Sequence, residues 1–207
     1  MEITSIKKYK GTSYEVTLDE ERKIYLHIDI IHDSGLCVGE EVDEEQLSQI
    51  ISNSNRRKAY QYSLYLLDYR DYSYREMFSK LEKVYKDEDL CFEIMRKLVR
   101  NNMINDKRYA ESLARKYVEV KKFGIYRAKR EMYAKGIVGD TADKALEPYA
   151  DCIQENIQEL LERKYYRYLD DPDDQKNIEK VKNSLVRMGY GFDDINYAVR
   201  EYLENIE

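Results

Sequence analysis

The side chains able to do covalent or metal chemistry are few and scattered. His27 and His32 are the two histidines, and Cys37, Cys91 and Cys152 the three cysteines. A zinc site needs ligands in close pairs, and these five residues lack that spacing. An odd number of distant cysteines reads as reduced thiols packed in or near the core. His27 falls on the outward face of an expected strand, as a surface residue rather than a base. Asp170-Asp171-Pro172-Asp173-Asp174 concentrates carboxylates, but helix capping in a loop accounts for them. No glycine-rich phosphate loop follows a strand, and no nucleophile elbow or zinc-binding helix motif is present. The residues therefore give no sign of catalysis, and no catalytic, cofactor or metal site is assigned.

What the sequence offers instead is charge. Residues 105–136 carry ten Lys and Arg against four Asp and Glu, net +6 in a chain of net −6. Residues 1–53 are net −7, 54–104 net +3, and 136–207 net −8, with 9 basic and 17 acidic groups. A basic middle between acidic ends suits an anionic polymer held at the centre, or a partner with matching alternation. The 21 tyrosines, with no tryptophan, crowd at Tyr60–Tyr74 and at Tyr165, Tyr166 and Tyr168. Tyrosine beside Lys and Arg can stack on unpaired bases. It also covers the half-buried flanks of thin helical layers.

These residues need elements to hold them. Charged residues make up 37% of 207 positions, and mean hydropathy is −0.79. Two prolines and eight glycines leave little material for an all-β fold. No apolar run approaches the length of a membrane span, and the first residues lack an export signal, so a cytoplasmic protein is expected. Tyr14, Val16 and Leu18, then Ile24, Leu26 and Ile28, alternate as two strands. With residues 2–10 they make an antiparallel meander turning at Lys10-Gly11 and Asp19-Glu20. One helical turn over 29–34 ends at Gly35. Asp43 and Gln46 form a capping box for a helix through about Ser52, and Ser52-Asn53-Ser54-Asn55 suits a flexible join.

From Arg56 on, helical periodicity dominates. Ala59, Ser63, Leu66 and Leu67 line one stripe. Ser73 and Glu76 cap a helix with Met77, Phe78, Leu81 and Tyr85 inward. Asp87 to Asp89 opens another, with Cys91, Ile94, Met95 and Leu98 inward. The plan recurs 51 residues on, where Ala110, Ala114, Tyr117, Val118 and Met132 match Ala59, Ser63, Leu66, Leu67 and Leu81. Ala110, Leu113, Ala114, Tyr117 and Val118 stripe one helix, and Ile125, Ala128 and Met132 the next. Gly124 and Gly136 are placed to end these helices in the left-handed conformation. A third copy has Ile157, Leu160 and Leu161, then Ile178, Val181, Leu185 and Met188, then Ile195, Ala198, Val199, Tyr202 and Ile206. Lys135-Gly136-Ile137 and Met188-Gly189-Tyr190 are matching stops, with Asn101-Asn102-Met103-Ile104 in a similar role. The expected fold is mainly α: three tandem three-helix repeats in an elongated, curved stack, after a small β-meander with a helix. The parts are 1–54, 55–104, 105–150 and 151–207.

At this point the residues resemble a family. Tyr69-Arg70, Ser73-Tyr74-Arg75-Glu76-Met77, Asn105-Asp106-Lys107-Arg108-Tyr109-Ala110, Gly124 to Met132, Lys135-Gly136-Ile137 and Leu185 to Tyr190 follow the order of the RecX family, regulators of the RecA recombinase. Ser34-Gly35-Leu36 and Gly39-Glu40-Glu41-Val42 resemble the β extension of longer members. The resemblance implies a non-enzymatic protein lying in the groove of the recombinase–DNA filament, and a monomer is expected. There it would hinder strand exchange, ATPase and co-protease activity and limit filament growth. The contact residues expected are Lys107, Arg115, Lys116, Lys121, Lys122, Arg127, Lys129 and Arg130, with Arg70, Arg75 and Arg187 behind them. A sequence-independent nucleic-acid binder is the alternative. It calls for tight binding to bare strands with a steep salt dependence, which an acidic chain disfavours; the regulator is expected to bind single- or double-stranded DNA directly only weakly.

Overall fold

The structure, a computed structural model, describes residues 1–205. Ile206, expected on the last helical stripe, lies outside them. Two compact units divide the chain: Met1–Arg70 with Lys80–Lys97, and Asp71–Ser79 with the described part of Leu98–Glu207.

The first unit opens with the meander β1 (Ile3–Lys10), β2 (Ser13–Leu18) and β3 (Arg22–His27), antiparallel in the order β1-β2-β3. The Glu21 amide donates to the Leu18 carbonyl, with Asp19 and Glu20 both at positive φ, 49° and 65°. That is a mirror-image turn, which matches the twist of the strands it joins. Ile3, Val16, Leu18 and Leu26 are buried against Ile30 and Ile31 of α1 (Ile28–Asp33) and Leu47 and Ile50 of α2 (Glu44–Tyr69). Ile28, expected on the strand stripe, instead begins α1.

Asp43 caps α2 with a full capping box. The helix does not stop near Ser52; it runs 26 residues to Tyr69. The polar run 52–55 is therefore no flexible join. Asn53 accepts from Gln49 and Arg56, while Ser54 is buried with its hydroxyl unbonded among the described residues. His27, expected outward, is half-buried and caps α1: its Nδ1 accepts from the Asp29 amide at 3.1 Å.

The second half of α2, α3 (Tyr74–Tyr85) and α4 (Glu88–Arg100) form the first triplet in sequence. Ser73 and Glu76 exchange their capping bonds, and the Leu90 amide donates to Asp87. Met77, Leu81, Cys91, Ile94, Met95 and Leu98 are all buried.

The second triplet is α5 (Asp106–Arg115), α6 (Ile125–Ala134) and α7 (Asp140–Leu146); the third is α8 (Ile153–Leu160), α9 (Gln175–Arg187) and α10 (Phe192–Glu204). Each has its own apolar cluster, and Ile125 packs against both. The expected stripes Ala110–Val118 and Ile178–Leu185 are buried. The first helix of each of these two triplets ends in a five-residue π-helical turn, Lys116–Val120 and Leu161–Tyr165.

Cys91 is buried, but Cys37 and Cys152 are exposed, against expectation. Both stand on connections, which run over protein surfaces. No helix of the described residues is long and apolar enough to cross a membrane.

Candidate functional site

Asn105 begins the basic segment by accepting the Arg108 amide at 3.0 Å, an N-cap that lets α5 start at Asp106. Asp106 in turn accepts the Tyr74 amide at 2.7 Å. Burial pushes the Asp106 carboxyl above its ordinary range, opposed by that amide and reinforced by Glu76. With Ala110, Leu113 and Ala114 buried, Lys107 and Arg115 face outward.

Gly124 was expected in the left-handed conformation, but its φ is −67°. The left-handed residue is Lys122, at φ 52°. Glycine is needed at 124 for space: an added Cβ would lie 2.2 Å from the Gly189 carbonyl oxygen. Gly136 and Gly189 are left-handed as expected, at φ 82° and 90°. A Cβ on Gly189 would lie 2.3 Å from the Arg127 nitrogen, and one on Gly136 would lie 2.8 Å from Ser73 Oγ and 2.9 Å from Arg75 Cβ.

These glycines make one kind of joint twice. The stop after α6 seats against the first turn of α3, where Ser73 Oγ donates to the Lys135 carbonyl at 2.6 Å. The stop after α9 seats against the first turn of α6. There the Gly124 amide donates to Met188 O at 2.9 Å and the Tyr126 amide to Gly189 O at 3.2 Å. Tyr190 Oη donates to Lys122 O at 2.8 Å, and burial pushes the Tyr190 phenol up.

The structure divides the expected contact residues by what their charges meet. Lys122 Nζ donates to Asn156 Oδ1 at 2.7 Å and pairs with Glu159 at 2.7 Å. That ammonium holds the Glu159 carboxyl below the usual range. Lys129 pairs with Asp143, whose hydrogen bond raises the lysine's pKa. Arg115 pairs with Glu119 at 3.2 Å. Arg127 lies 3.7 Å from Glu131, stacks 4.0 Å from the Phe123 centroid, and donates to the Arg187 carbonyl at 3.4 Å. Asp143 and Glu159 come from outside the segment, so its local balance falls from +6 to +4.

Lys107, Lys116 and Arg130 are exposed, and their side chains have no partner among the described residues. Lys121 is exposed 5.6 Å from the Tyr117 and Phe123 centroids. Arg75 is exposed on the first turn of α3, and Arg187 spends its Nε on the Asn183 carbonyl at 3.2 Å. Arg70 ends α2 in the first unit. Lys122, Arg127 and Arg187 thus meet at the second joint, while Lys107, Lys116 and Arg130 point their charges to solvent.

Two cations not singled out, Lys164 and Lys180, line one groove with Arg187. Lys180, Ser184 and Arg187 step by four and three along α9, a spacing that puts them on one stripe. That regularity is the signal in the sequence by which the groove can be found.

Residues 105–146 match the family description "RecX, second three-helix domain", and 151–199 match "RecX, third three-helix domain". The chain is 27% identical over 204 residues to the regulatory protein RecX of Clostridioides difficile strain 630, covering 97% of this chain and 95% of the relative. It is 25% identical over 212 residues to that of Oceanobacillus iheyensis, covering 96% and 75%. A crystal structure of RecX from Lactobacillus salivarius aligns with TM-score 0.67 and 32% identity over 73% of this chain and 98% of that one. A second crystal structure, of regulatory protein RecX, aligns with TM-score 0.69 and 23% identity over 99% and 98%.

Proposed function

This chain belongs to the RecX family, and on that premise we propose that it is a non-enzymatic regulator of a RecA-type recombinase. It binds the recombinase filament on DNA in the filament groove, slows ATP hydrolysis, strand exchange and co-protease action, and limits filament growth. The observation that carries this reading is the correspondence, over 97% of the chain, with a relative named for regulation.

In this reading the parts are 1–54, 55–104, 105–150 and 151–207, and the protein acts as a cytoplasmic monomer. Its contacts are drawn from the cations named above, led by Lys107, Lys116, Lys121 and Arg130. An ammonium held by a carboxylate offers a partner little, whereas an unpaired one adds attraction to phosphates or acidic protein surface. Direct DNA binding is weak, because the chain is net −6.

The test is recombinase ATPase on single-stranded DNA, titrated with this protein. The rate is expected to fall with increasing protein at constant DNA. A rate unchanged across the titration overturns the proposal.

A further inference from the structure

The third triplet contains a groove of about 400 Å³ in which charge, hydroxyl groups and an aromatic face converge. Lys164 and Tyr165 come from the π-helical turn after α8, Tyr168 from the 3-10 turn that follows, and Lys180, Ser184 and Arg187 from α9. Inserted turns of this kind recur at functional sites because they re-aim side chains.

No carboxylate lines the groove, and none of its three cations pairs with one among the described residues. Lys180 Nζ donates to Asn177 Oδ1 at 3.0 Å, which leaves the ammonium two further hydrogens. Arg187 uses its Nε on its own helix and keeps its two terminal nitrogens. Lys164 Nζ stands 5.0 Å from the Tyr165 ring centroid. Three cations lining one groove of this size repel one another unless an anion sits among them.

Below them, Tyr165 Oη and Ser184 Oγ share a hydrogen bond of 2.7 Å. One hydroxyl of such a pair donates to the other. When Tyr165 donates to the serine rather than to Met188 Sδ at 3.8 Å, the seryl proton is left for an acceptor in the groove. Tyr168 adds a ring that is 48% exposed, an apolar face beside the cations.

We propose that this groove binds one nucleotide unit of an unpaired nucleic-acid strand, with its phosphates among Lys164, Lys180 and Arg187 and its base on Tyr168. An acidic peptide would use the cations but leave the tyrosine ring without a task, whereas every base has a face to stack. The site goes beyond the recombinase reading, since a strand contact needs no second protein.

The test is fluorescence anisotropy of a labelled oligothymidine with the whole protein, between about 50 and 200 mM salt. All four side chains to be changed are exposed, so melting temperature should hold. K164Q/K180Q/R187Q is expected to weaken binding about tenfold or more and to flatten the salt slope by about 1 or more, as one or two lost phosphate contacts require. Y168A is expected to weaken it at least about fivefold, the low end for one stacked base, and Y168F to restore it. Thymidine monophosphate should compete only far above the strand concentration; equal potency would make this a free-nucleotide site and overturn the strand assignment. Wild-type affinity in the triple variant, or poly-glutamate that competes as well as strand with Y168A silent, also overturns the proposal.

Discussion

The basic segment of the second triplet and the groove of the third reverse what their charge sums announce. Residues 105–136 hold ten cations, yet Arg115, Lys122, Arg127 and Lys129 face Glu119, Glu159, Glu131 and Asp143. Residues 136–207 are net −8, yet Lys164, Lys180 and Arg187 line one groove without a carboxylate. Charge added along a chain measures composition. What a surface presents depends on which partners the fold brings within reach, and Glu159 reaches Lys122 from another helix.

The contrast holds only while the glycine joint fixes the two triplets, so breaking the joint should have the largest effect. Gly189→Val puts a Cβ against the Arg127 main chain at a left-handed φ. It should cost about 4 kcal/mol in chemical denaturation, the range of exceptional single changes. Gly139→Ala, also at positive φ but with open space around it, should cost about 1 kcal/mol. Equal costs for the two would show that the close approach is not what matters.

Next comes Lys122→Met, which removes one ammonium from Asn156 and Glu159. A loss of about 1–2 kcal/mol in the same assay is expected, since the pair is partly sheltered and one partner is left unmet. If K122M instead leaves stability alone and weakens filament inhibition, Lys122 belongs with the free cations.

The free cations are probed by K107E/K116E/R130E. Recombinase ATPase inhibition should need roughly tenfold more protein, about 1.4 kcal/mol by the usual conversion, with melting unchanged. Full inhibition by this variant would move the contact surface elsewhere.

Asp106→Asn tests the acid that opens the segment. A folded pKa above the unfolded value means the carboxyl contributes most when protonated, below its ordinary value, and loses that contribution as pH rises through the folded pKa. The asparagine keeps an acceptor for the Tyr74 amide without the charge. It should therefore raise melting temperature slightly at pH 7 and show no gain near about pH 3, below the ordinary aspartate value. A gain that persists in acid would point to packing instead. The smallest effect belongs to Arg115→Ala, an exposed pair one helical turn apart, worth about 0.3–0.5 kcal/mol.

Much of the fold was legible because its signals are local. The boxes at Asp43–Gln46 and Ser73–Glu76 span four residues, and the stripes through Ala110–Val118 repeat within a turn. The polar run at 52–55 misled because Ser and Asn favour loops; here the helix runs on through it from buried Ile50 to buried Ala59, with Asn53 bonded to Gln49 and Arg56. Gly124 misled for another reason: its type reports a need for space or for positive φ, and only the distant Gly189 shows which. The candidate site was the least legible part. Lys122 with Glu159, and Tyr165 with Ser184, are matched across 37 and 19 positions, and no periodicity carries such distances.

Because the joint between the second and third triplets closes chiefly on main-chain atoms and a left-handed glycine, cations away from it, such as Lys107, Lys116 and Arg130, take no part in setting the step between those two triplets. Their charges are free to drift over generations while the spacing of these two modules stays constant. Such a chain could be retuned to a new partner one module at a time without being refolded.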